Sequence, residues 1–418
     1  MALLALLFSL SGLISCSDTE SVEDIVLYPD RPLAYLLYPN DRAQNDSAAA
    51  NLAHGVELLV HPSAKYYLSF DADPSSEAPT LQLFRIVRGH YQQVRVLEPQ
   101  VVGSRYVYSF VCEENDAAEW VTTLESGGTY YKGKVSNVLL EGEGGYSDHF
   151  SLNLIAVGDV EQNLDGFTLQ KLADSLLTAF RHYYTSVYID TIYLNRAHEH
   201  PTLGKKYPAD LPWLAGYSSD DIMLSELGGW PGIENALDIV LVHFINDVDV
   251  LGYSDLFAGN LGSGTYSTLV LGSYVKMQDG SENVLPLSEI VETAVHETGH
   301  FFGLRHTTAT TADLGRYVDG VNLGDYSNVE DGLDDTPYCS FLRSSGLLKS
   351  SSVPSSDIRQ RLPQTLAAQG DAPKIGFGNC PDAGNVMFPM AVSDRKFTLS
   401  FSEQQLEIIR KNLMIFPH

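Results

Sequence analysis

The chain has 418 residues, 44% hydrophobic and 19% charged, which is an ordinary globular composition and excludes a disordered or fibrous chain. At this length two domains are the default expectation. Its 53 acidic against 26 basic residues give a formal charge of −27, which argues against a nucleic-acid partner, because phosphate binding needs clustered Lys and Arg.

Met1 to Ser15 carries no charge and is mostly Ala, Leu, Phe and Ile. That is too short to span a bilayer and suits the apolar region of an export signal over residues 1–15. Leu13-Ile14-Ser15-Cys16 resembles a bacterial lipoprotein signal-peptidase site, which implies lipidation of Cys16 and membrane contact through that anchor alone. No Lys or Arg precedes the apolar run, so an ordinary secretory signal is the second reading. Either way the protein is expected to be exported, as a cell-envelope lipoprotein or in secreted form. Residues 16–30, polar and acidic, read as a tether.

Residues 31–148 alternate strand-like runs with turn signals. The runs are Val56 to Val60, Tyr66 to Phe70, Leu81 to Val87, Tyr106 to Val111 and Val135 to Leu140, separated by Asp73-Pro74-Ser75-Ser76, Gly103-Ser104 and Glu141 to Gly145. Short β-rich runs at this spacing predict an antiparallel sandwich-like domain. Cys112, at the end of one run, reads as a small buried residue.

Past the glycines at 142–145 the pattern becomes strand, helix, strand, and residues 149–418 are expected to form an α/β (α+β) domain. Phe150 to Val157 is apolar. Thr168 to about Ser186 carries Leu169, Leu172, Leu176 and Phe180 at helical spacing, and Val187 to Leu194 alternates again. Asp238 to Ile245 is nearly continuous in apolar residues, as a strand covered on both faces would be. His198, Glu199 and His200 are too close together for helical ligation and predict a surface turn. His243, inside the apolar run, predicts a satisfied core histidine.

The most informative stretch is His296-Glu297-Thr298-Gly299-His300-Phe301-Phe302-Gly303-Leu304-Arg305-His306. On a helix, His296 and His300 lie one turn apart on one face and can share a metal. Glu297, beside the first histidine, is placed to act on a metal-bound water. A continuing helix would carry His306 about 9 Å past His300, too far for a metal with Zn–N bonds of about 2 Å. The helix must stop, and Gly303 sits where a glycine can turn the chain back. Three imidazoles then leave a tetrahedral ion one open position. Ile290, Ala294, Val295 and Phe302 would fill the buried face of this helix.

This stretch resembles the zinc-binding motif of the metzincin metallopeptidases. Gly384-Asn385-Val386-Met387-Phe388-Pro389 is similar to the family's Met-turn, and Asp331-Gly332-Leu333-Asp334-Asp335-Thr336-Pro337 with Cys339 looks like the segment after the third histidine in its pappalysin-like branch. The resemblance covers roughly residues 287–413. It implies one catalytic zinc on His296, His300 and His306, with Glu297 as general base and a polypeptide substrate. It also implies Met387 as an apolar floor beneath the histidines, and a mixed sheet above the active-site helix. An edge strand for substrate would come from Phe257 to Gly264 followed by Thr268 to Leu271, where the glycines serve either close substrate approach or ordinary turns. Many metzincins have a tyrosine where this chain has Pro389, which leaves Tyr326 and Tyr338 as candidates to support an oxyanion.

Cys339 and Cys380 bracket the loop between the third histidine and the Met-turn. A disulfide there would remove about 4 kcal/mol of unfolded-chain entropy; two buried thiols are the alternative. Asp325, Glu330, Asp331, Asp334 and Asp335 suit calcium or a solvated acidic loop. Ser402-Glu403-Gln404-Gln405 has the capping-box form and predicts a last helix with Leu406, Ile409 and Leu413 inward. Two other functions stay open at this stage: a surface adhesin with a vestigial zinc site, and a hydrolase of cell-wall peptides.

Overall fold

The structure is a computed structural model describing residues 35–37, 41–42, 56–60, 64–72, 77–87, 90–111, 118–131, 133, 135–142, 146–216, 226–247, 250–254, 261, 268–277, 279–308, 331, 333–339, 380–389, 399–414 and 418. Residues 1–34 with the export signal and Cys16, and also Cys112, Asp325, Tyr326, Glu330 and most of 257–264, lie outside them.

The first part of the chain supplies β1 (Tyr35–Leu37), β2 (Asp41–Arg42), β3 (Val56–Val60), β4 (Lys65–Ala72), β5 (Thr80–Val87), β6 (His90–Leu97), β7 (Gln100–Val102), β8 (Arg105–Val111), β9 (Ala118–Ser126), β10 (Thr129–Tyr130) and β11 (Val135–Gly142). They form two sheets, β1-β3-β9-β5-β6 with β10 on β9, and β2-β11-β4-β8-β7. Alternation sets the inner faces: Tyr66, Leu68 and Phe70 of β4, Tyr106, Tyr108 and Phe110 of β8, and Leu81 and Leu83 of β5 point to one shared core. The register of β11 breaks between Ser136 and Leu139. Asn137 sits at that bulge with φ +52°, a conformation asparagine tolerates better than most residues.

The second part runs β12 (His149–Ala156), α1 (Leu169–Tyr183), β13 (Tyr188–Arg196), β14 (Leu214–Ala215), β15 (Ala236–Val242), β16 (Phe244–Ile245), β17 (Gly252–Ser254), β18 (Thr268–Gly272), β19 (Tyr274–Lys276), β20 (Glu282–Val284), α2 (Leu287–Phe301) and α3 (Glu403–Leu413). Its main sheet has the order β13-β12-β15-β18-β17. The first four strands are parallel and β17 is antiparallel to β18. The architecture of this part is therefore α+β on a mixed sheet with few helices.

All seven residues of β15 are buried, because both faces of the sheet are covered. Leu237, Ile239 and Leu241 face α1 and α2. Val240 and Val242 face Tyr207, Leu227 and Trp230 on the other side. One polar group interrupts this strand: buried Asp238 accepts from Asn153 Nδ2 (2.6 Å) and from the Gly229 amide (2.9 Å). Asn195 in turn donates to Asn153 (2.7 Å), so polar atoms across three strands are paired.

α1 starts where Thr168 accepts from the Lys171 amide (3.1 Å) and buries Leu169, Leu172, Ala173, Leu176 and Phe180. α2 buries Ile290, Val291, Ala294 and Val295 on the same face of the sheet. One expectation is corrected here. Thr268 to Leu271 is not an edge strand but lies inside the sheet between β15 and β17; among the described residues the end strands are β13 and the three-residue β17. A Gly-Tyr-Ser strand is too short to show alternation.

Candidate metal centre

The site is built where α2 ends. Helical periodicity puts His296 and His300 on one face, and the helix stops just after them. The Gly303 amide donates to the His300 carbonyl (2.8 Å) and the Leu304 amide to the Gly299 carbonyl (2.9 Å). Gly303 has φ +89°, the left-handed conformation that this closure requires and that a side chain resists. Buried Asn412 of α3 caps the same end, its Nδ2 donating to the Phe302 carbonyl (2.8 Å).

The chain then returns, and His306 joins the helical pair. Its Nε2 lies 3.3 Å from that of His296 and 3.2 Å from that of His300. The ligand atoms of all three residues fall within 4.8 Å of one another, and among the described residues no other His, Cys, Asp or Glu group does this.

Backbone carbonyls set two of the rings. His296 Nδ1 donates to Val386 O (2.7 Å) and His300 Nδ1 to Leu304 O (2.7 Å). With the proton on Nδ1, each Nε2 presents a lone pair. A proton on His306 Nε2 could relieve one of its two short contacts but not both with good geometry. Ligands about 2.0–2.1 Å from a tetrahedral ion stand about 3.3–3.4 Å apart, close to the spacing seen. The residues fit a metal ion better than they fit each other.

Met387 is fully buried below this pair. A Cβ on Gly299 would stand 2.3 Å from its Sδ, so the glycine between the two histidines is what lets the methionine pack against the helix. The turn carrying Met387 is fixed by its own residues and by α3. The Met387 amide donates to Asn385 Oδ1 (2.8 Å), Val386 N to Ser400 O (3.0 Å), and Asn385 Nδ2 to Gln405 Oε1 (2.9 Å).

Glu297 is half-buried, and its main-chain carbonyl accepts from Ser254 Oγ of the edge strand (2.8 Å). Beneath the helix, Tyr184 donates to Val295 O (2.6 Å). Complete burial holds the Tyr184 hydroxyl well above the ordinary tyrosine range.

Cys339 and Cys380 are disulfide-bonded. Of the acidic cluster, Asp331 is buried, its Oδ1 accepting from Thr336 Oγ1 (2.9 Å) and the Leu333 amide (3.2 Å), and burial pushes its carboxyl up to about 8. Asp334 and Asp335 are exposed and tie to α3, where the Asp334 amide donates to Gln404 Oε1 and Asp335 accepts from the Gln404 amide. The described carboxylates do not converge as a three-ligand cation site. Tyr338 is exposed.

Two histidine expectations need adjusting. His200 is not a surface residue: it is buried, stacked edge-on against Trp230, and its Nδ1 accepts from the Leu203 amide (3.0 Å). His243 stacks on Tyr274 and pairs through Nε2 with Glu282 (3.1 Å), but among the described residues its buried Nδ1 meets no partner. Neither belongs to the metal group. What sequence reasoning missed is mostly backbone: the carbonyls of Val386 and Leu304 carry no side-chain signature. Asn412 and Gln405 were hidden as polar residues on an amphipathic helix.

No family model matches the chain, and no curated protein matches it. Among solved structures it is similar to a glycosylation-associated protein (Gap123) complex from Streptococcus agalactiae, at 12% identity and TM-score 0.16, over 52% of this chain and 72% of that one. A GDSL-like lipase from Bacteroides ovatus gives 11% identity and TM-score 0.16 over 46% and 62%. An acetyl xylan esterase from Butyrivibrio proteoclasticus gives 12% and 0.11 over 64% and 73%. At TM-scores this low the likeness carries no argument about fold or site.

Proposed function

We propose that the protein is a zinc-dependent endopeptidase of metzincin type, acting on extracellular or cell-envelope proteins. The observation that carries this reading is the convergence of the His296, His300 and His306 Nε2 atoms on the helix that bears Glu297. These three residues would hold the ion. When bound, zinc supplies Lewis acidity that brings the pKa of water towards about 7 and polarises a carbonyl.

The chain's own residues do the rest. The Glu297 carboxylate takes the proton from the attacking water and passes it to the leaving amine. Val386 and Leu304 keep two imidazoles in the ligating tautomer. Met387 does no chemistry and supports the helix from below. Among the described residues strand β17 is an end strand of the sheet, to which an extended substrate can add by main-chain hydrogen bonds. The bond from Ser254 to the Glu297 carbonyl keeps that strand beside the turn that carries the base. The mixed sheet supports this reading to the extent that the resemblance implies one. Export, with Cys16 as a lipid anchor or in secreted form, belongs to the same reading.

The test uses the full chain and its Glu297→Ala variant, with zinc content measured beside cleavage of folded and unfolded polypeptides and of cross-linked cell-wall peptide. One zinc per chain is expected in both proteins, with polypeptide cleavage by the parent only and its loss on chelation. Zinc without cleavage would return the adhesin reading, and action on cell-wall peptide alone the third. Equal activity in the two proteins would remove Glu297 from the mechanism. Cell fractionation in the same experiment checks export, which protein found only in the cytosol would refute.

A further inference from the structure

We propose that Asp382 is a positioning residue for the third metal ligand, clamping the Thr307-Thr308 pair behind His306, and that the Cys339–Cys380 disulfide holds the clamp in place. The proposal rests on metal binding by the three histidines and not on which bond the protein hydrolyses.

The two helical ligands and the returning one are held by different means. His296 and His300 inherit their positions from the backbone ladder of α2. His306 comes after the helix has closed, so its position depends on what grips the chain beside it. Thr307 does this first with its amide, which donates to Met387 O (3.1 Å). The side chains of Thr307 and Thr308 then donate to one oxygen, Asp382 Oδ2, at 2.8 and 2.6 Å. Both hydroxyl groups are therefore oriented by a single oxygen atom, which ties the two neighbouring side chains to one point.

All three side chains are almost fully buried, at 3% exposure for Asp382, 1% for Thr307 and 0% for Thr308, so bulk water cannot take their place. The arrangement also closes on itself. Thr308 Oγ1 accepts from the Cys339 amide (2.7 Å), Cys339 is bonded to Cys380, and Cys380 stands two residues before Asp382. One covalent link and a set of hydrogen bonds thus lock the segment after His306 to the segment leading into the Met-turn. A ligand whose outer support is removed still exists but samples orientations that miss the ion, and such changes lower metal affinity about 10- to 100-fold.

The experiment measures zinc affinity by competition with a chromophoric chelator, and the visible absorption of the cobalt(II) form, on full-length protein. Variants are Asp382→Ala, which removes the acceptor, the near-isosteric Thr307→Val and Thr308→Val, and the Asp382→Ala/Thr307→Val double variant. Each single change is expected to weaken zinc binding about 10- to 100-fold and to alter the cobalt spectrum, while the metal-free protein keeps its circular dichroism. The double variant should lose little beyond the worse single one, because the two act through one bond. Affinities within about threefold of the parent would overturn the proposal, as would a loss that merely tracks the fraction of folded protein. Should Asp382→Ala fail to fold, Thr307→Val decides. A parent that binds no metal ends both this proposal and the peptidase reading, whereas one that binds zinc and cleaves nothing ends only the latter.

Discussion

Gly299→Ala is the most revealing single change, because it adds one methyl group between the two helical histidines without touching either ring. The new Cβ would stand 2.3 Å from Met387 Sδ, 3.2 Å from its Cε and 3.5 Å from Phe401. The first of these is far inside van der Waals contact. A methionine is adaptable, but Met387 is fully buried in the core that includes Val386, Phe401 and Ile409, so its thioether can leave only by displacing neighbours. Overpacking of this kind costs about 1–3 kcal/mol. Alanine in place of glycine inside a helix returns about 0.8–1 kcal/mol. The net expectation is a loss between nothing and about 2 kcal/mol, or up to roughly 8 °C in melting temperature at about 2–4 °C per kcal/mol.

The larger effect should appear at the metal. The strain enters between His296 and His300 and beneath both, so zinc affinity should fall more than stability does. Thermal melts of the metal-free protein and a zinc competition titration, run on the same samples, separate the two. Met387→Ala in the Gly299→Ala background should restore part of the affinity by making room for the methyl group. Wild-type zinc affinity in Gly299→Ala, or no recovery in the pair, would refute the idea that methionine and glycine are fitted to each other.

Asp331 gives a pH prediction. Burial raises its carboxyl from 3.8 to about 8, so between about pH 4 and 8 the folded protein holds a proton that the unfolded chain has released. The stability of the protonated form is complete below pH 4 and is lost as pH rises through 8. Asp331→Asn keeps the acceptor for Thr336 and Leu333 but cannot ionise; its melting temperature should vary less with pH and exceed the parent's at pH 8–9, and parallel profiles would count against the buried, neutral carboxyl. Asn412→Leu keeps the volume but removes the donor to the Phe302 carbonyl. Leaving that buried group unpaired should destabilise by about 1–3 kcal/mol, read by denaturant titration, and an unchanged midpoint would mean the cap is dispensable.

Much of this molecule was legible because some of its constraints are local. The metal motif fixes five residues at spacings that only a helix ending at Gly303 satisfies. The capping box at Ser402 is formed in both directions, with Gln405 N on Ser402 Oγ (3.1 Å) and Ser402 N on Gln405 Oε1 (3.0 Å). The apolar face expected for α2, with Ile290, Ala294, Val295 and Phe302, is buried as expected. Strand runs such as Leu81 to Val87 declared themselves as short β-rich runs bounded by turn residues.

Where the reading failed, the deciding partner was distant in sequence or was a polar residue turned inward. The inner face of α3 is Gln405, Ile408, Ile409, Asn412 and Leu413, and Leu406 is only partly buried, because two of the five inward residues are polar and no apolar pattern announces them. His200 looked like a surface residue because nothing near it in sequence points to Trp230. The edge strand was misplaced because three residues carry no period.

The grip of α3 on the rest of the site has a consequence for timing. One helix near the C-terminal end touches the Asp334-Asp335 segment through Gln404, the Met-turn through Gln405 and the end of α2 through Asn412. While the protein is being synthesised the three imidazoles leave the ribosome long before residues 403–413 do, and until then their cradle lacks its keystone. Whatever binding or chemistry depends on the assembled site would therefore begin only after residues 403–413 had docked.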